Sequence, residues 1–175
     1  MRSQQGGNLI VVALAGLPGA GKTTLARTLQ ARAGFWFVSR DDIRAAMFQP
    51  CDFTSWEKDA AFEATLQAVA ANLRGGRRSV VDGVAFSHQR DRDQLRTITE
   101  ANGATFHLVH LKVPISIAQE RVEADRSTSL IGDRNAALVE EVAARFEPFT
   151  PDTIEVDAVQ SPAFVAGAVF AHLNL

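Results

Sequence analysis

A three-layer α/β fold, with a five-stranded parallel sheet between helices, is predicted by three observations. Short apolar runs alternate along the chain with segments of helical period, the pattern of strands joined by crossover helices. The runs are almost continuously hydrophobic, as strands covered on both faces must be. A glycine-rich turn, Gly16-Leu17-Pro18-Gly19-Ala20-Gly21-Lys22-Thr23, separates the first run from the first helix.

Leu9 to Ala15 is apolar and β-branched and reads as the first, buried strand. The helix from Thr24 to Ala33 sets Leu25, Leu29 and Ala33 on one face and closes at Gly34. Phe35 to Ser39 is the second strand, and Arg40-Asp41-Asp42-Ile43-Arg44 forms a turn at its C-terminal end. In Ser55 to Arg74 the residues Phe62, Leu66, Val69 and Leu73 keep helical spacing, and Gly75-Gly76 ends the helix. Ser79 to Asp82 is a short third strand, followed by a polar helix from about Ser87 to Ala101 that stops at Asn102-Gly103. Ala104 to Val113 is the fourth strand, with a helix from Ile115 to Arg126 and a polar loop from Ser127 to Asp133 behind it. The period resumes over Asn135 to Glu147 through Leu138, Val142 and Phe146, and Pro148 ends it. Thr153 to Asp157 is the fifth strand. Ser161-Pro162 then opens a last helix with Val165, Val169 and Leu173 on its face.

With 175 residues, 46% of them hydrophobic, the chain suits one domain over residues 1–175, whose first seven residues are a short flexible tail. No apolar stretch approaches the ~20 residues of a membrane span, so no membrane partner is expected. Cys51 is the single cysteine, which rules out an intrachain disulfide framework and suits a reducing cytoplasm. Net charge is −2 and no run of Lys or Arg tracks a nucleic-acid backbone, so a polynucleotide partner is not favoured. There are no Cys/His clusters, repeats or low-complexity tracts.

Chemistry begins at the glycine-rich turn. Its spacing is G-x-x-x-x-G-K-[ST], whose main-chain N–H groups point inward around nucleotide phosphates. Strand before and helix after complete an anion site at a helix N-terminus. Residues Gly16, Leu17, Pro18, Gly19, Ala20, Gly21, Lys22, Thr23 and Thr24 are the expected nucleotide contacts. Lys22 supplies charge to the β- and γ-phosphates, and the Thr23 hydroxyl is placed to ligate Mg²⁺. ATP is the expected nucleotide, with GTP tolerated. Asp82 closes an apolar strand beside this loop, an arrangement that holds Mg²⁺ directly or through water. Gly83 follows it where motor-type ATPases place a water-activating glutamate, which favours transfer over hydrolysis.

Ligands of parallel α/β sheets sit beyond the strand C-termini, so the Asp41-Asp42 turn faces the γ-phosphate. A carboxylate there accepts the proton of an attacking hydroxyl, and Arg44 pairs with an anion or with that carboxylate. One aspartate of the pair serves the following helix instead. Arg121, Arg126 and Arg134 surround the polar loop and are candidates to balance charge on a transferring phosphoryl group. Gln49 to Trp56, with Pro50, Phe53 and Trp56, either walls an acceptor pocket or packs the core. His107 and His110 lie inside a strand and serve packing; His88, just beyond Asp82, is nearer the active face.

The phosphate loop, then Arg40-Asp41-Asp42-Ile43-Arg44, Val80-Val81-Asp82, Val113-Pro114 and the arginines of the next helix together resemble the P-loop kinase branch of phage-type polynucleotide 5′-kinases. Related small-molecule kinases and antibiotic phosphotransferases of the AAA_33 type share that branch. The resemblance covers about Asn8 to Pro148. It implies a P-loop NTPase fold of the kinase type with a helical lid at about 115–147. It also implies Asp41 as the carboxylate that activates the acceptor, Arg44 on the substrate side, and Arg126 as a lid arginine on ATP. The Arg121 to Arg126 spacing is one residue longer than the polynucleotide kinase pattern. Asp82-Gly83-Val84-Ala85 departs from the D-G-[FY]-P of nucleoside monophosphate kinases. The expected activity is ATP-dependent transfer of the γ-phosphate to a hydroxyl of a sugar, nucleoside or antibiotic-like molecule. The alternatives are a polynucleotide 5′-hydroxyl kinase and, of another class, a nucleotide-dependent switch.

Overall fold

The structure is a computed structural model that describes residues 9–125 and 135–175. The elements are β1 (Ile10–Ala15), α1 (Lys22–Ala33), β2 (Trp36–Ser39), α2 (Arg40–Met47), α3 (Ser55–Arg74), β3 (Ser79–Asp82), α4 (Gln89–Ala101), β4 (Thr105–Lys112), α5 (Ile115–Asp125), α6 (Ala136–Ala144), β5 (Ile154–Asp157) and α7 (Pro162–Leu173). The five strands pair in the order β2-β3-β1-β4-β5, and every pairing is parallel.

Every residue of β1 is buried, which explains its unbroken apolar run. The pleat sends alternate side chains to opposite faces. Val12 and Leu14 join Leu25 and Leu29 of α1 and Val165 and Val169 of α7 on one face. Val11 and Ala13 join Phe62, Leu66 and Val69 of α3 and Leu95 of α4 on the other. A smaller cluster unites Leu17 with Ala118 and Val122 of α5 and Val139 and Val142 of α6. The phosphate loop is thereby packed against the helices assigned to a lid.

Local signals set several boundaries. Gly34 takes a left-handed conformation and its N–H closes α1 on the carbonyls of Gln30 and Leu29. Thr54 and Glu57 form a capping box at the start of α3, a reciprocal pair of side-chain to main-chain bonds. Ser161 accepts from Phe164 N–H ahead of Pro162 to open α7.

Three expectations are corrected. Helix α1 starts at Lys22, because Gly21 in the left-handed region already acts as its N-cap. Arg40 to Met47 is a helix, not a turn, since the Ser39 side chain accepts from Asp42 N–H and caps it. Helix α6 ends at Ala144, so Phe146 leaves the helical face and its ring lies 5.8 Å from His110 and 5.7 Å from Phe149. Arg126, the loop Ser127 to Asp133, and Arg134 lie outside the described residues. Among the described residues, no helix is long and apolar enough to cross a membrane.

Candidate active site

At the C-terminal ends of the strands lies a cleft of about 730 Å³. The loop after β1 forms its floor, and three of its glycines carry positive φ: 143° at Gly16, 80° at Gly19 and 90° at Gly21. Close approach explains two of them. A Cβ on Gly16 would lie 2.8 Å from the Leu111 carbonyl oxygen, and one on Gly19 would lie 2.6 Å from that of Ala118. Lys22 Nζ donates to the carbonyl oxygens of Gly16 and Leu17, each at 2.8 Å, so its charge sits inside the curve of the loop.

Thr23 follows on the first turn of α1, where its Oγ1 donates to Asp82 Oδ2 at 2.6 Å. Residues 59 apart in sequence meet because β3 lies next to β1 in the sheet. Ser39 of β2 is in register with Asp82 of β3, so α2 starts beside that carboxylate. Gly83, at φ 81°, makes room for the arrangement: a Cβ there would lie 2.9 Å from Asp41 N and 3.2 Å from its Cγ.

The structure separates the two aspartates. Asp41 lines the cleft, while Asp42 is exposed on the first turn of α2. The Asp41 carboxylate receives Arg40 Nη2 at 3.2 Å and Arg44 Nη2 at 3.4 Å. Arg44 is only 4% exposed, and its guanidinium stacks 4.6 Å from the Phe53 ring centroid. A buried arginine held on one face by an aromatic ring is a stiff clamp for the carboxylate it pairs with.

Pro18 to Thr24, Arg40, Asp41, Arg44, Asp82 and Arg121 all line the cleft. Arg121 Nη1 donates to Ala158 O at 2.9 Å and to Gly19 O at 3.4 Å, linking α5 to the phosphate loop and the segment after β5. Gly16 and Leu17 do not line it; Gly16 backs onto Leu111 and Leu17 is buried against α5 and α6. Nor does any residue from Gln49 to Trp56. Trp56 is 68% exposed and packs on Phe48, so that segment supports α2 without walling the cleft.

Lys58 of α3, Asp91 of α4 and Arg145 at the end of α6 also line the cleft, and the sequence reading missed them. Only tertiary packing brings these elements to the phosphate loop, so no local pattern marks them. His88 lies at the rim, with its Nδ1 3.5 Å from Glu147 Oε1. The Gln89 N–H and then the His88 ring hold the Glu147 carboxyl below the usual carboxylate range.

The sequence profile of the AAA_33 family, an AAA domain, matches residues 11–149. The chain belongs to this family. No curated protein sequence matches it. Among solved structures similar to this chain is a gluconokinase from Sinorhizobium meliloti 1021, with TM-score 0.70 and 20% identity over 95% of this chain and 91% of that one. Another is the Mycobacterium tuberculosis APS kinase CysC in complex with AMPPNP and APS, with TM-score 0.71, 16% identity and coverage of 96% and 99%. A third is the Deinococcus radiodurans tunicamycin resistance protein, with TM-score 0.68, 20% identity and coverage of 96% and 97%. At these identities the likeness is one of fold, the P-loop kinase fold that the AAA_33 chain adopts.

Proposed function

We propose that this AAA_33 chain is an ATP-dependent phosphotransferase that moves the γ-phosphate to a hydroxyl of a small molecule. The observation that carries the reading is the clamped Asp41 carboxylate, set in the same cleft as a full phosphate loop. The names of two similar structures, a gluconokinase and an APS kinase, agree with it.

Main-chain N–H groups of Gly19 to Thr23 hold the β- and γ-phosphates at the N-terminus of α1. Lys22 exchanges its loop carbonyls for phosphate oxygens, and Arg121 adds charge from the side of α5. Asp41 accepts the acceptor's proton as its oxygen bonds to the γ-phosphorus. The bond to the β–γ bridging oxygen breaks, and ADP leaves with that electron pair. Arg40 and Arg44 keep Asp41 aimed; Arg126 remains the proposed lid arginine.

Mg²⁺ fits the donors present. Thr23 Oγ1 and Asp82 Oδ2 are hard oxygens 2.6 Å apart at the loop, and no cluster of three metal-binding side chains occurs among the described residues. That suits an ion that keeps waters and takes the rest of its shell from phosphates. Thr23 and Asp82 would hold it, and when bound it would offset negative charge on the phosphates.

The test is a screen of sugars, nucleosides and 5′-hydroxyl oligonucleotides for phosphate incorporation from labelled ATP. A small molecule is expected to be labelled. With that acceptor, Asp41→Asn should lower kcat by about 10³-fold with little change in ATP affinity. Near-normal transfer by Asp41→Asn would remove the base assignment, and labelling of oligonucleotides alone would replace the acceptor class.

A further inference from the structure

The chain has a second feature that the cleft does not use. Residues 1–40 and 64–81 contain no Asp or Glu, although the chain carries 20 of them. The sheet brings these segments together at the strand N-termini, the end opposite the cleft. Trp36 of β2 is in register with Ser79 of β3, and Trp36 N–H donates to Arg78 O at 2.8 Å. Arg32 and Arg74 lie in the last turns of α1 and α3, Arg77 and Arg78 in the turn before β3, and Arg27 on α1 along the β2 edge. Among the described residues none of these five arginines is paired with a carboxylate.

Four of them are held in place all the same. Arg77 lies 3.9 Å from the Trp36 ring centroid, Arg78 5.0 Å from Phe35, Arg32 5.0 Å from Phe170 and Arg27 5.6 Å from Phe37. A guanidinium laid on a ring spends its flat face there and keeps its in-plane N–H edge for an anion; Arg78 is the exception, since its Nη2 donates to Ala33 O at 2.7 Å. Side chains held this way lose less freedom when they bind. Trp36 is 48% exposed, so indole surface remains open beside them.

Net charge and the lack of a Lys or Arg run speak against a polynucleotide partner in the sequence, but the fold gathers arginines from separate segments. We propose that this edge binds single-stranded nucleic acid, its arginines on backbone phosphates and Trp36 stacked on a base. An acidic protein is disfavoured because protein interfaces bury an apolar centre. Among the described residues of the two acid-free segments, Trp36 is the only large exposed apolar side chain. Cations gathered at one end of the sheet, with one aromatic ring open among them, are instead what a strand with unstacked bases fits. The site is separate from the phosphate loop and stands whether or not the cleft transfers phosphate.

Fluorescence anisotropy of the full chain with a labelled thymidine strand of about twelve nucleotides, at about 50 mM salt, tests this. Binding should weaken with salt at a log–log slope of about 0.7 per phosphate engaged, near 3 for the four arginines other than Arg78. Trp36→Ala should weaken binding about tenfold at unchanged slope. Arg77→Gln and Arg74→Gln should weaken it and lower the slope, while Arg77→Lys keeps the slope and controls for misfolding. Arg90→Gln, at an exposed arginine already paired with Asp91, should change nothing. Saturating Mg·ATP should leave the affinity unaltered. Three results overturn the proposal: no complex at about 0.1 mM protein; displacement by Mg·ATP, which moves the strand to the cleft; or equal binding of polyglutamate, which makes the edge a dock for acidic proteins.

Discussion

Gly83 carries more of the site than its size suggests. It follows the Asp82 carboxylate and sits against the first turn of α2, where an added Cβ would meet main-chain nitrogens at 2.9 Å (Asp41) and 3.1 Å (Arg40). Those atoms cannot swing aside as a flexible side chain would, so α2 as a whole must shift. The φ of 81° adds a left-handed strain of about 1 kcal/mol for any residue with a side chain. Gly83→Ala should therefore cost about 1–3 kcal/mol of stability and lower kcat at least about tenfold by displacing Asp41. ATP affinity should change little, because the phosphate loop is built from β1 and α1. Denaturation together with kcat and KM for each substrate would check this; an unaltered kcat would mean that the Asp41 position is not critical.

At the scale of elements, α3 shows what was legible and what was not. Apolar spacing placed it at Ser55 to Arg74, and the structure has it there, because Phe62, Leu66, Val69 and Leu73 are all buried. β3 was equally clear, since a short run buried at every position leaves no ambiguity of face. The helical state of Arg40 to Met47 was hidden. Its charged opening resembles a turn, and it is stabilised by the Ser39 cap and by the Arg44 contacts to Asp41 and Phe53. The phosphate loop and Asp82 were legible because a strand, a tight turn and a helix follow in unbroken sequence. Lys58 and Arg145 were not, since they reach the cleft only through packing of α3 and α6.

The start of α3 also yields a prediction. Glu57 Oε2 accepts from Thr54 N–H at 2.9 Å, its Oε1 accepts from Asp52 N–H at 3.1 Å, and Thr54 Oγ1 accepts from Glu57 N–H at 3.2 Å. Thr54→Ala should cost about 1 kcal/mol. For a chain of this size that lowers Tm by about 2–4 °C. Glu57→Ala should cost more, as it leaves two main-chain donors without their acceptor. Neither residue lines the cleft, so kcat should hold below the melting range. A Thr54→Ala variant as destabilised as Glu57→Ala would show that the capping hydroxyl, and not the carboxylate, organises the segment before α3.

For the whole molecule, β4 makes stability depend on pH. It lies between β1 and β5 and places His107 and His110 in partly buried positions. Burial pushes the His107 imidazole below its usual value, against a smaller opposing pull from Asp152. Burial does the same to His110, aided weakly by Lys112 and Arg92 and opposed by Glu155, whose Oε1 lies 3.5 Å from the ring. Its ring also packs 4.2 Å from that of Phe149, a surrounding that favours the neutral form. In the unfolded chain both rings titrate near 6.5. Between that value and the lower folded values, the unfolded chain binds more protons. Stability is therefore full above about pH 6.5 and falls as pH drops from there to the folded values. A second fall follows at lower pH. Hydrogen bonds hold Glu147, Asp152, Glu155 and Asp157 below the usual carboxylate range, so their contribution is lost as pH falls through the folded values. Urea midpoints measured from about pH 8 to pH 3 should show both steps. The double variant His107→Gln, His110→Gln should lose the first and keep the second. If the decline below pH 6.5 persisted in that variant, its source would lie in other groups and not in the β4 histidines.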